Sequence, residues 1–267
     1  MVRGDRVVAG DVEGVGRVAW PGTVGEALEV QAALAERAVL DVEGPAVGDV
    51  GRVAGVDVSY DKGGERLVAA AVVLDAGTLE PLETVLVEGV SRFPYVPGLL
   101  AFRELPSVME ALERVKATPD LIVCDGYGIA HPRRAGLAVH LGVLTGLPCF
   151  GVAKAPFVFE HEPPGPRRGD SAPLTADGGE VVGRALRTQE GVKPVFVSVG
   201  GGIGLDRACV HALRLAPRYR LPETTRWADR LSRARLREVT AGAQPADGPG
   251  GGWSGDAGAG GAWSGGG

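Results

Sequence analysis

The chain has 267 residues, 45% of them hydrophobic and 23% charged, which is enough apolar content for a real core and excludes a disordered chain. No apolar run reaches the roughly 18–20 residues that span a bilayer. The N-terminal MVRGDRVVAGDVEG carries acids where an export signal needs a basic flank and an apolar stretch, so a cytoplasmic protein with no membrane partner is expected.

Net charge of −5 hides an asymmetry. Residues 1–50 hold 4 Lys/Arg against 9 Asp/Glu, whereas residues 126–235 hold 16 against 9. A polyanion would meet the second half, because Lys and Arg neutralising phosphates drive most non-specific nucleic-acid affinity. The three cysteines (Cys124, Cys149, Cys209) are odd in number and lack a CxxC pair, which argues against a disulfide framework and a zinc site. Cys124 and Cys149 lie in apolar runs and read as small buried hydrophobes.

In chain order, residues 1–22 are Gly-rich and weakly patterned and read as a flexible segment. Residues 26–40 place apolar side chains at helical spacing with acids in the first turn. Three strand-like runs follow, 53–59, 66–74 and 84–90; YDKGG between the first two marks a hairpin, and Gly77 and Pro81 punctuate the next connection. Residues 99–115 read as helix and 120–125 (DLIVCD) as a short buried strand. A helix over about 135–145 is followed by strands at 148–152, 181–187 and 195–199, and by helices at 205–213 and 225–234. The folded domain is placed at 23–237. The remainder, 238–267, is nearly all Gly, Ala, Ser, Asp and Pro with Trp253 and Trp263 in a repeated WSG, and is expected to be disordered. Three antiparallel strands followed by alternating helix and strand make an α/β protein with a mixed sheet.

Asp57 sits inside the apolar strand VAGVDVSY, where a lone ionised carboxylate is costly unless paired or bound to metal. Asp125 ends LIVCD just before Gly126, at the carboxyl end of a strand, where open α/β sheets gather ligands. If these strands are neighbours, both carboxylates enter one pocket that Glu104 can reach from the helix between them. Hard divalent ions favour such oxygen donors, and two ions suit phosphodiester hydrolysis. The alternative from spacing alone leaves Glu104 and Asp125 as surface carboxylates near loops.

Longer stretches carry a resemblance. PYVPGLLAFRE (94–104), DGYGIAHPRRAGLAVHLG (125–142) and YRLPETTRWAD (219–229), with GVDVSY (55–60) and GVAKAP (151–156), resemble the ordered signature segments of the endonuclease V family. The resemblance implies a ribonuclease H-like fold, with the first three strands antiparallel, the later ones parallel, and helices flanking the sheet. It implies Mg²⁺, with Mn²⁺ able to substitute. The implied activity is hydrolysis of DNA at the second phosphodiester bond 3′ to deoxyinosine, leaving 3′-hydroxyl and 5′-phosphate ends. Inosine-specific cleavage of RNA, or binding of deaminated nucleic acid with little catalysis, are the alternatives. A monomer is the simplest expectation.

On this resemblance Asp57, Glu104 and Asp125 are the catalytic carboxylates and metal ligands, and Lys154 is an active-site lysine that can pair with the scissile phosphate. Tyr95 falls on the family's wedge tyrosine. Pro94 and Pro97 stiffen its loop and Gly98 permits close backbone approach, while a weakly paired inosine is cheap to extrude. Backbone groups around Gly98, Leu100 and Gly126 are candidates to read the base. His131, Arg133 and Arg134 are expected at the mouth of the site, in contact with phosphate. His140 and His211 are expected to be structural, and His161 to sit in a Pro-rich loop. Two departures stand out. Gly201, in SVGGGIGLD, occupies a position where a family histidine beside the metal site is expected, which implies slower turnover, and Tyr127 stands where a histidine is common. Asp206 reads as the cap of the following helix.

Overall fold

Thr23 opens the first helix with a capping box: its hydroxyl accepts from the Glu26 amide at 3.3 Å, and the Glu26 carboxylate accepts from the Thr23 amide at 3.2 Å. In the computed structural model, which describes residues 20–63 and 65–241, that helix is α1, Val24–Arg37. The flexible N-terminal segment expected at 1–22 thus lies almost wholly outside the described residues, as does the tail beyond 241. A 3₁₀ turn, Val47–Asp49, leads into the sheet.

The strands are β1 (Arg52–Tyr60), β2 (Arg66–Asp75), β3 (Pro81–Val90), β4 (Leu121–Cys124), β5 (Cys149–Ala153), β6 (Ser171–Thr175), β7 (Val181–Leu186) and β8 (Val195–Gly201). They form one sheet in the order β3-β2-β1-β4-β5-β8-β7-β6. The first three are antiparallel and β1, β4 and β5 run parallel, as expected. The parallel run then ends: β8 returns antiparallel to β5, and β7 and β6 continue antiparallel. Short connections through β7 and β6 allow hairpins, which parallel pairs cannot use. Strand β6 was not foreseen. SAPLT is short, and Pro173 at its centre confines it to an edge.

The helices are α2 (Ala101–Arg114), α3 (Leu137–Thr145), α4 (Leu205–Leu215) and α5 (Glu223–Ala241). The last extends past both the helix end expected at 234 and the domain end expected at 237. Strand alternation sorts the core. Leu67, Ala69, Ala71 and Val73 face Leu105, Val108 and Met109 of α2, while Ala70, Val72 and Leu74 face Trp227 and Ala228 of α5. On the α4 side, Val53, Val123, Phe150 and Val197 meet Ala208, Ala212 and Leu215. All three cysteines are buried and free. Among the described residues no helix is long and apolar enough to cross a membrane.

One contact seats α5. A Cβ at Gly55, in mid-β1, would lie 2.3 Å from the Thr224 carbonyl oxygen, so only glycine lets the helix's first turn rest on the strand. Gly55→Ala is expected to destabilise the fold by about 1–3 kcal/mol through overpacking, read as a lower denaturation midpoint at unchanged slope. Wild-type stability in that variant would refute the close seating.

Candidate functional site

Asp57 and Asp125 both follow strand residues whose side chains enter the α4–α5 face, Val53 in β1 and Leu121 and Val123 in β4. Val56 pairs with Cys124 in the parallel ladder, so Asp57, inside β1, and Asp125, just past the end of β4, lie side by side. They line a cleft of about 560 Å³ together with Glu104, Lys154 and Asp229. The expected grouping of Asp57, Glu104, Asp125 and Lys154 is therefore present. Asp229 is a fourth carboxylate that the sequence reading passed over. It ended the quoted segment YRLPETTRWAD, and the buried positions Thr225, Ala228, Ser232 and Leu236 set it at the edge of the seam that α5 lays on β1.

The site is electrostatically strained. Burial pushes the Asp57 carboxyl up to about 7, reinforced by the charges of Asp125 and Asp229. Burial likewise raises Glu104 to about 8, with Asp57 and Asp125 adding to the effect. Several groups oppose this crowding, Arg103 and Tyr60 at Glu104 among them. The Lys154 ammonium is ion-paired with Asp125. The Ser232 hydroxyl donates to Asp57 at 3.2 Å and lies 2.8 Å from the Ser59 hydroxyl, while Arg233 pairs with Asp229 at 2.7 Å. Burial works to lower the lysine, but its bond to Asp125 and the fields of Asp125, Asp57 and Asp229 carry it above its ordinary value. Among the described residues no three His, Cys, Asp or Glu side chains form a ready-made cage for an ion. What fits a cation here is the donor chemistry: desolvated carboxylates that repel one another and already draw in an ammonium.

A second cleft, of about 780 Å³, adjoins the first through Val58, Tyr60 and Glu104 and is lined by Pro94, Tyr95 and Leu100. Tyr95 is 71% exposed, not packed on the core. Gly98 takes a left-handed φ of 80°, and its carbonyl accepts from Arg133 at 2.8 Å and from Gln31 at 3.0 Å. Gln31, fully buried on α1, also donates to the Ala135 carbonyl at 2.8 Å and accepts from Arg133 through its side-chain oxygen. The Gly98 carbonyl is thus occupied and is not available to read a base. Gly126 has φ 153° and follows Asp125, two residues past the end of β4.

The basic segment behaves differently from expectation. His131 is buried at 4% exposure, packs on Phe157 and is held down to about 4 by burial and by Arg133, so it is neutral. Its Nδ1 accepts from the Arg133 amide at 3.2 Å, which leaves Nε2 to donate toward Gly98. Arg133 is spent on Gly98 and Gln31, and Arg134 on Glu180 and the Phe159 ring. His131 and Arg133 brace the Tyr95 loop at Gly98, Arg134 ties back to Glu180, and none of the three is a free phosphate contact. His140 is buried edge-on to Phe102 and His211 bonds the Pro45 carbonyl at 3.1 Å, both structural as expected. His161 stacks on Phe196. Tyr127 donates to the Ala155 carbonyl at 3.1 Å.

Gly201 requires a correction. It pairs with Cys149 at the start of β5, whereas Ala153, next to Lys154, pairs with Phe196. Four strand residues, roughly 13 Å, therefore separate it from the carboxylate end, and a side chain there would head toward the Val39 backbone. A histidine at this position would not reach the pocket, so its absence gives no reason to expect slow turnover. Asp206 does not cap α4 either: Gly204 is the cap residue, and Asp206 pairs with Arg184 at 2.7 Å.

Comparisons with known proteins agree with this geometry. A sequence profile described as Endonuclease V matches residues 32–230. The Endonuclease V of Streptomyces avermitilis is 61% identical over 222 residues, covering 83% of this chain and 96% of that protein. The Endonuclease V of Nocardia farcinica is 56% identical over 225 residues, covering 84% and 98%. A crystal structure of the Streptomyces avermitilis protein superposes with a TM-score of 0.80 at 60% identity over 83% of this chain and 96% of that one. Endonuclease V of Ciona intestinalis, in complex with a 24mer DNA containing an inosine followed by a ribo-adenosine, gives 0.70 at 27% identity over 81% and 98%. The fold is ribonuclease H-like.

Two outcomes follow. Asp57 and Glu104 hold protons in the folded state between about pH 4 and 8 that the unfolded chain has released, so metal-free stability falls as pH rises through that window. Asp57→Asn removes part of the penalty. Its melting temperature is expected to exceed that of the wild type at pH 8, with the gap closing toward pH 5; a gap that ignores pH would sink the electrostatic account. Gly201→His is expected to lower stability by about 1–3 kcal/mol, because φ is 141° there, and to leave nicking no faster. Faster nicking would restore the catalytic reading of that position.

Proposed function

The chain belongs to the endonuclease V family and is a nuclease, and on that premise we propose that it hydrolyses the second phosphodiester bond 3′ to a deoxyinosine in DNA, leaving 3′-hydroxyl and 5′-phosphate ends. The observation that carries this reading is the adjacency of the two clefts: crowded, desolvated carboxylates in one, and an exposed aromatic on a braced loop in the other.

Asp57, Asp125 and Glu104 would hold Mg²⁺, with Mn²⁺ as a substitute and Asp229 as a further oxygen donor at the rim. When bound, the ion would supply Lewis acidity toward the phosphate and stabilise the charge developing on its oxygens. The chain's own groups do the rest. Lys154 sits on Asp125 and can transfer its charge to a phosphate oxygen when the carboxylate is otherwise engaged. Ser232 and Ser59 orient Asp57. Tyr95, held out by the Gly98 clamp, fills the space of an extruded base, since inosine pairs weakly and costs little to unstack. Gly126 and Leu100 offer backbone close to that base.

The test is a nicking assay on duplexes with and without one deoxyinosine, and on inosine-containing RNA, with Mg²⁺ or Mn²⁺. Site-specific nicking of the inosine duplex is expected. Asp57→Ala is expected to lower it by more than about 100-fold, beyond the 10–100-fold that loss of an outer-sphere partner costs. Mg²⁺ is also expected to raise the melting temperature at pH 8 in the wild type but not in Asp57→Ala. Cleavage that survives Asp57→Ala would reject the site; preferential cleavage of RNA would reject the DNA assignment.

A further inference from the structure

Helix α5 carries a charged surface of which the carboxylate cleft engages only Arg233, through its pair with Asp229. Arg226, Arg230, Arg233 and Arg237 recur at spacings of four, three and four residues, which places them in one stripe along the helix. Arg233 and Arg237 line the carboxylate cleft. Arg226 and Arg230 line a different cleft, of about 530 Å³, shared with Arg218, Tyr219 and Trp227 and closed by the β2–β3 turn. The stripe therefore joins the reacting end of the molecule to a distant pocket.

That pocket is built of arginine–aromatic stacks. The Arg226 guanidinium lies 3.3 Å from the centre of the Tyr219 ring, and that of Arg230 3.7 Å from the Trp227 ring. Stacking occupies a guanidinium's face and leaves its N–H edge free for an anion. Arg218 and Arg230 are exposed, and among the described residues neither has an ion-pair partner, whereas Arg226 leans on Glu223 at 3.6 Å. The acids in the cleft are Glu80 and Glu223, outnumbered by Arg214, Arg218, Arg226 and Arg230. This surplus lies on a chain whose net charge is −5, so it is not a general basic background. The eleven helical steps from Arg226 to Arg237 span about 16 Å at 1.5 Å each, about five phosphates of one duplex strand.

We propose that the α5 arginine stripe is a second nucleic-acid contact. It holds the phosphates flanking the scissile bond and leads that strand from the carboxylate cleft to the Tyr219–Trp227 pocket. The proposal rests on the nuclease reading above and adds the path and reach of the bound strand. It makes affinity depend on how much duplex extends past the lesion on one side.

The test compares the wild type with an R218Q/R230Q double variant on fluorescent inosine duplexes. These keep about 12 base pairs on both sides of the lesion, or are trimmed to about 3 on either side in turn, so that a trimmed arm falls short of the pocket. Binding is read by anisotropy in metal-free buffer, which needs no turnover. On the full duplex the variant is expected to bind roughly 3- to 10-fold more weakly, with the slope of log Kd against log salt reduced by about 1–2. On the duplex trimmed on the stripe's side, the two proteins are expected to bind alike. An unchanged slope and affinity on the full duplex would overturn the proposal. So would an equal loss on all three duplexes, which would indicate damage to the fold. Failure of the wild type to nick inosine DNA would count against the activity and leave this binding comparison intact.

Discussion

Much of this molecule depends on how closely one helix approaches one strand. The Thr224 carbonyl sits where a Gly55 side chain would begin, so α5 lies directly on β1 and runs along it. Three consequences follow from that single approach. Ser232 comes within reach of Asp57, Asp229 enters the carboxylate cleft, and Arg233 and Arg237 come to line it. A helix held a side chain's width further out would deliver none of these. The glycine therefore serves catalysis without touching a reactant.

The cleft illustrates why active sites cost stability. Carboxylates forced together in a poorly solvated pocket disfavour their own ionisation, and the fold tolerates this because its core is elsewhere. Lys154 partly neutralises the pocket at rest, yet it sits on only one of the four carboxylates. The remaining imbalance is what gives the site its affinity for positive charge. The Tyr95 loop follows a different design, with the Gly98 carbonyl held by Gln31 and Arg133 and the aromatic ring left in solvent.

What could be read from the sequence reflects which signals are local. Asp57 was legible because an acid inside VAGVDVSY violates strand patterning, and Asp125 because it ends a fully apolar run. The sheet's first half followed from alternation and turn residues. Roles set by three-dimensional packing were not legible. Arg133 and His131 looked like phosphate ligands because charge at a loop says nothing about Gln31, about a hundred residues away, that claims one of them. Asp229 was hidden in an ordinary amphipathic helix whose register only the Gly55 contact reveals. Gly201 was misjudged because motif alignment carries no information about which end of a strand faces the site. Strand β6 escaped because its inward alternation is only two residues long, Ala172 and Leu174, and is interrupted by a proline.

The Gln31 side chain also sets an order of events during synthesis. Its partners lie 67 and 104 residues downstream, at Gly98 and Ala135, and chains emerge N-terminus first. Helix α1 is therefore complete long before either carbonyl exists. The bonds joining Gln31 to Gly98 and Ala135 cannot be complete until residue 135 has been made. The clamp on the Gly98 carbonyl is accordingly assembled from the oldest part of the chain and a much younger one.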